Sequence, residues 1–225
     1  MRSSRIRSML GILALVGVMT GLYMGLVWAP PDAYQGQVQR IMYVHVPAAW
    51  VAFLAFFVVF ISSILFLWRG SQIFDQVAYA SAEVGVVFTS LAILAGSIWG
   101  KPTWGVWWTW DARLTTTAIL LLIYVGYLML RSVVEDRSRG ARYAAVLGII
   151  GFIDIPIIHK SVEWWRTLHQ PSSVMRPEGP AIAPRMLVTL FVSMAAFTLL
   201  YLYLLTQRLH LERLDAEILE KNREA

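Results

Sequence analysis

Six apolar runs, at roughly residues 8 to 28, 48 to 68, 77 to 99, 114 to 131, 143 to 159 and 185 to 206, dominate the chain, and short polar stretches separate them. At 1.5 Å per residue each is about long enough to cross a hydrocarbon core of about 30 Å. The pattern predicts an all-α, polytopic membrane protein with six transmembrane helices. Glycine and alanine recur in the third and fifth runs, where small side chains let helix backbones approach closely in lipid. The first run follows Arg2, Arg5 and Arg7 as the core of a signal peptide would. It has spanning length, however, and Pro30 follows the one small-residue cleavage point, so it is read as a retained helix. Beyond the sixth run, "LHLERLDAEILEKNREA" puts Leu211, Leu214 and Ile218 on one helical face, with Glu217 four residues before Lys221. The chain thus divides into a membrane domain over 1–206 and an amphipathic tail over 207–225.

Composition supports the membrane assignment, because 58% of the 225 residues are hydrophobic and 15% are charged, more apolar surface than one soluble core hides. The net charge of +5 comes from arginines and lysines that flank the apolar runs. They form no continuous basic stripe, which argues against a nucleic-acid partner. With the N-terminus inside, twelve of the 19 basic residues fall on the cytoplasmic side and seven outside, the bias expected when both termini are cytoplasmic. Cysteine is absent, so thiolate metal sites, disulfides and covalent haem attachment through C-x-x-C-H are excluded together.

That topology gathers the chemistry on the outer face. "TWGVWWTWDAR", from Thr103 to Arg113, packs Trp104, Trp107, Trp108 and Trp110 beside Asp111 and Arg113. If residues 103 to 111 are helical, Trp104, Trp107, Trp108 and Asp111 share one face, and an indole surface lies flat at the membrane boundary. An aromatic belt spreads its rings among helix ends, so Trp28, Trp50 and Trp68 are assigned to the belt and the clustered four to a site. Such a surface suits a large, flat, apolar ligand with an acidic rim, which Arg113 would hold through paired hydrogen bonds. Porphyrin fits that description, and its iron would take axial ligands from imidazole. His45, His159 and His169 all fall on the same outer side, while His210 lies in the tail. Pro47 in "RIMYVHVPAAW" suits the first turn of the second helix and leaves His45 just outside it. In "SVEWWRTLHQPSS" a helical reading puts Trp165 and His169 on one face before Pro171 ends the helix. Spacing alone does not rank His159 below His169.

Other residues carry less. Glu83 and Asp154 sit within apolar runs, where an ionised group faces a bundle interior or a partner, and Pro156 predicts a kink beside Asp154. Met42 and Met175 are soft donors, though lone methionines usually fill space. No phosphate loop, H-E-x-x-H or G-x-S-x-G occurs, so the chain is expected to have no ATPase site of its own.

The pattern W-G-x-W-W-x-W-D, here Trp104 to Asp111, followed by "ARLT", resembles the WWD signature of haem-handling membrane proteins. With "RIMYVHVPAAW", "WWRTLHQ" and the six-helix length, nearly the whole chain resembles the haem exporter protein C (CcmC) family of bacterial cytochrome c maturation. The resemblance implies a multi-pass inner-membrane protein that binds haem b non-covalently at the periplasmic face. It implies delivery to the haem chaperone CcmE, with help in the chaperone's covalent loading, beside the CcmA, CcmB and CcmD subunits of an ATP-binding-cassette complex. Carried over by motif, His45 and His169 match the axial ligands, the tryptophan segment over 103–113 matches the haem platform, and Arg40 and Arg113 match arginines near the propionates. His159 has no such role in the family. One departure is local: Pro171 follows Gln170 where the family pattern has glycine. The rivals are a small-molecule permease, which would line a path at midmembrane, and a cytochrome c synthetase-like subunit, which would be larger.

Overall fold

The computed structural model describes residues 2–170, 173–174 and 176–224. Helix α1 spans Arg2–Tyr23 and runs on through a π-helical turn over Met24–Trp28. A 3₁₀ turn over Gln37–Ile41 leads into α2, Met42–Arg69, and Gly70 in the left-handed conformation separates it from α3, Gln72–Trp104. Helices α4, Ala112–Val133, α5, Arg137–Gly151, α6, Asp154–Trp164, and α7, Pro184–Glu224, complete the order, and no strand occurs among the described residues. Six helical stretches are long and apolar enough to cross a membrane, α5 and α6 together making the fifth. The protein is an all-α, multi-pass membrane protein, as the apolar pattern predicts.

Three local expectations change. The second helix begins at Met42, upstream of the predicted start, so His45 lies inside it and Pro47 is an interior residue of its N-terminal part. So early in a helix the proline removes one bond, to the Tyr43 carbonyl, while Met42 and Tyr43 gain burial. The third helix continues to Trp104 and stops there, because Gly105 takes φ 81° and its amide closes on the Lys101 carbonyl at 3.0 Å. Residues 103 to 111 are therefore not one helix. The fifth run breaks at Phe152–Ile153, as the Asp154 and Pro156 pair predicts: Pro156 has no amide for the Phe152 carbonyl, which accepts from Ile155 instead at 3.2 Å.

Helices α2 and α3 form the centre. Ala48, Val51, Ala52 and Ala55 pack against Val84, Phe88 and Ala92, with Phe197 and Tyr201 of α7 closing one side. On the other side Leu120, Tyr124 and Tyr127 of α4 meet Phe56, Ala82 and Ile158. Helix α5 lays Ala141, Ala145 and Gly148 against Phe66 and Val59 of α2, the close approach its small residues predict. Helix α1 packs on α7.

At one end of the bundle two ion pairs cross between helices. Arg131 of α4 forks onto the buried Asp75 of α3, and Arg208 of α7 forks onto Glu83 of α3 with N–O distances of 2.5 and 3.1 Å. The Tyr79 ring lies between the two guanidiniums, 4.7 Å from Arg131 and 5.8 Å from Arg208. Glu83 thus has a helix-packing partner. Asp154 is buried, and its Oδ2 has no hydrogen-bond partner among the described residues. Helix α7 passes residue 206 without a break and leaves Leu211, Leu214 and Ile218 exposed. The side chains of Glu217 and Lys221 lie outside the described residues.

Candidate ligand cavity

At the opposite end, α2, α3, α4 and α6 enclose a cavity of about 980 Å³ measured out to its open mouth. His45, Trp99, Trp104, Trp108, Arg113 and His169 are among its lining residues. Its floor is Ala52, Thr89, Leu120 and Ile158, and Thr103 lies near the mouth, about 21 Å from Thr89 along α3 at 1.5 Å per residue. The ligand space is a cleft running into the bundle, not a flat indole surface at the boundary, because Gly105 turns the chain before the tryptophans can align on one helical face.

His45 enters from the N-terminal part of α2. Its Nδ1 lies 2.9 Å from the Ala92 carbonyl oxygen, which only accepts, so the proton is on Nδ1 and Nε2 keeps a lone pair. The ring also rests edge-on against Trp99, with centroids 5.7 Å apart. His169 arrives from the loop after α6, and its Nδ1 donates to the Gln170 carbonyl at 2.9 Å. It too is left with a free Nε2. Burial and the nearby positive charge of Arg113 push the His169 imidazole down to about 4, against the raising effect of the Gln170 carbonyl, so the ring is neutral at physiological pH. A neutral imidazole with Nδ1 tied to a carbonyl is the form that binds a metal.

Arg113, in the first turn of α4, is half-buried, and its guanidinium has no hydrogen-bond or ion-pair partner among the described residues. The cavity therefore holds a guanidinium with no contact partner among the described residues, with the Asp111 carboxylate acting on it from a distance, beside two imidazoles. Among the described residues no group of three His, Cys, Asp or Glu side chains converges as a metal cluster. Two axial donors are too few for a bare ion and enough for an iron that brings four equatorial nitrogens. The apolar walls, lining indoles and single cation match the amphipathic outline of a porphyrin.

All 225 residues match the family described as Heme exporter protein C. A Heme exporter protein C of Bradyrhizobium diazoefficiens is 43% identical over 220 residues, covering 97% of this chain and 81% of the relative. One from Haemophilus influenzae is 43% identical over 206 residues, 91% of this chain and 82% of the relative. A putative cytochrome c biosynthesis ccmC-like mitochondrial protein of Arabidopsis thaliana is 38% identical over 203 residues, 89% and 77% of the two chains. The chain belongs to the heme exporter protein C family.

In this heme exporter protein C family member the signature residues divide into three groups. Trp104 and Trp108 line the cavity, and the Trp104 ring stands 6.1 Å from that of His169. Trp107 and Trp110 are 58% and 78% exposed and are not among the lining residues, so they present indole outward. Asp111 does neither. Its Oδ1 caps α4 by accepting from the Leu114 amide at 2.9 Å, and its Oδ2 accepts from Thr167 Oγ1 at 3.0 Å and the Leu168 amide at 3.2 Å.

Helix α6 ends at Trp164, and Trp165 is extended, so Trp165 and His169 share no helical face; the aromatic neighbour of His169 is Trp104. Arg40 does not line the cavity, and its guanidinium donates to the Gly25 carbonyl and the Gln37 side chain. His159 is exposed on α6, away from the lining. Met42 is buried in a separate apolar cluster, while Met175, Pro171 and Ser172 lie outside the described residues.

Among the lining residues that escaped the sequence reading are Gln35, Gly96 and Trp99. Trp99 donates to Gln35 Oε1 at 2.8 Å, which ties the loop before α2 to the cavity wall. Ala92, Gly96, Trp99 and Thr103 follow the helical repeat and form one stripe of α3. That periodicity was the available signal, but packing between helices produces the same one.

Proposed function

We propose that this chain binds haem b non-covalently, as cargo, in the cavity between His45 and His169. It is an inner-membrane protein with both termini cytoplasmic and the cavity mouth periplasmic, and it presents haem to the chaperone CcmE beside CcmA, CcmB and CcmD. The observation that carries this reading is the pair of imidazoles lining one cavity, each with Nδ1 committed to a backbone carbonyl and Nε2 free, beside a guanidinium that no carboxylate contacts among the described residues. His45 and His169 hold the iron, Arg113 takes a propionate, and Trp104 and Trp108 cover the ring. Trp107 and Trp110, turned outward, meet the chaperone. The excess of basic residues on one side supports the orientation, and ATP hydrolysis belongs to the partner complex. The permease alternative loses its sequence support, since Glu83 pairs with Arg208 and neither Glu83 nor Asp154 lines the cavity.

The test is a set of visible spectra of the protein purified with its native partners. His45→Ala and His169→Ala are expected to remove the six-coordinate, bis-imidazole spectrum, and His159→Ala to leave it intact; equal effects from all three would overturn the ligand assignment. Arg113→Ala should weaken haem retention about tenfold, the worth of one charge-assisted hydrogen bond. Its effect on haem dimethyl ester should be small, and equal losses would rule out a propionate contact.

A further inference from the structure

The two imidazoles are held by different means. His45 is part of α2 and is fixed by the Ala92 carbonyl, by Trp99 and by the backbone of Gly96, all on α3. His169 belongs to a segment without helix or strand, and side chains tie that segment down. Its own amide donates to Thr167 Oγ1 at 2.8 Å, and the Thr167 hydroxyl donates to Asp111 Oδ2 at 3.0 Å. Leu168 adds a backbone bond of 3.2 Å to the same carboxylate oxygen. The other carboxylate oxygen is anchored on α4, one residue after Trp110 and two before Arg113.

We propose that Thr167 and Asp111 form a positioning relay that sets His169 against the iron and makes it the releasable axial ligand, its hold governed by the tryptophan segment. This rests on the reading of His45 and His169 as haem ligands. A hydroxyl that accepts from one group while donating to a carboxylate is polarised in the sense that strengthens both bonds. The relay spans the 56 residues between Asp111 and Thr167, so any displacement of the segment that carries Trp107 and Trp110 is transmitted to His169. His45 makes no hydrogen bond to residues 105–113 among the described residues; its one bond goes to Ala92 within α3. A partner that engages the exposed indoles would loosen one ligand and leave the other as an anchor, which is what directional transfer of a cargo requires.

The experiment uses the full chain with its native partners, loaded with haem, and follows visible spectra and the rate of haem transfer to apomyoglobin as scavenger. Thr167→Val keeps the side-chain shape and removes both relay bonds. It should convert the six-coordinate spectrum to a five-coordinate one and speed release about tenfold, the usual effect of losing a group that orients a metal ligand. Free imidazole should restore the six-coordinate spectrum, and Thr167→Ser, which retains the hydroxyl, should match wild type. Asp111→Asn, which still caps α4, should follow Thr167→Val because an amide nitrogen cannot accept from the Leu168 amide. A Thr167→Val protein with wild-type spectrum and rate, in a background where His169→Ala loses the spectrum, would overturn the relay alone. If His169→Ala changes nothing, the ligand reading falls and the relay with it.

Discussion

Gly96→Ala is expected to lower haem affinity by about 10- to 100-fold, the range seen when the support of a metal ligand is disturbed. A methyl group at this position would sit 2.9 Å from Cε1 and 3.2 Å from Nδ1 of His45. The ring has nowhere to go, since Nδ1 is bonded to the Ala92 carbonyl one turn earlier on α3 and one edge meets Trp99. Relieving the contact turns the imidazole away and breaks the bond that fixes its tautomer. Propensity works in the opposite direction, because alanine stabilises a helix interior by about 1 kcal/mol relative to glycine. The propensity gain and the lost bond, worth about 1 kcal/mol, nearly cancel, so the variant should fold about as well as wild type and hold haem poorly, a combination that general destabilisation does not produce. Gly126→Ala on α4 is the matched control, for its added methyl would meet only Leu147 at an ordinary 3.7 Å. Visible spectra and thermal melting of both variants check the expectation. A wild-type spectrum in Gly96→Ala would mean that His45 is not held against α3 as described.

Arg131→Met should destabilise the protein by about 3 kcal/mol, the cost of leaving one member of a buried ion pair alone. Asp75 is 7% exposed, and the forked contact with Arg131 ties the start of α3 to the end of α4. Arg131 also lies over the Tyr79 ring, so truncation loses packing as well as charge. Adding Asp75→Asn to Arg131→Met removes the orphaned charge and should recover most of the loss. The measurement is a thermal unfolding series of wild type, both single variants and the double variant in one micelle. A single variant as stable as wild type would mean that water solvates the pair. Arg131 is about 27 Å along α4 from Arg113, at 1.5 Å per residue, so haem spectra should be unchanged in variants that remain folded.

Much of the fold was legible because a bilayer makes strict demands. Backbone groups in hydrocarbon must bond within their own helix, so each crossing needs a continuous apolar run, and six such runs are visible in the residue order. The break near Asp154 was legible for a similar reason, since Pro156 removes a donor wherever it stands. Gly105 was harder. Its left-handed turn ends the helix, after which Trp108 joins Trp104 in the cavity lining while Trp107 and Trp110 face outward, whereas the one-face pattern of Trp104, Trp107 and Trp108 assumed an unbroken helix.

The amino-acid order alone determined the number of spans, the clustering of indoles beside Asp111 and Arg113, and the presence of imidazoles near helix ends. Tertiary structure decided which of those groups meet. His45 touches Ala92 and Gly96, and Asp111 touches Thr167, because α2, α3, α4 and the loop after α6 pack at one register along the membrane normal. Register between helices depends on how small and large side chains interlock across each interface. Periodicity within one helix carries no record of that, so Arg40 and Arg113 look alike in sequence while only Arg113 lines the cavity.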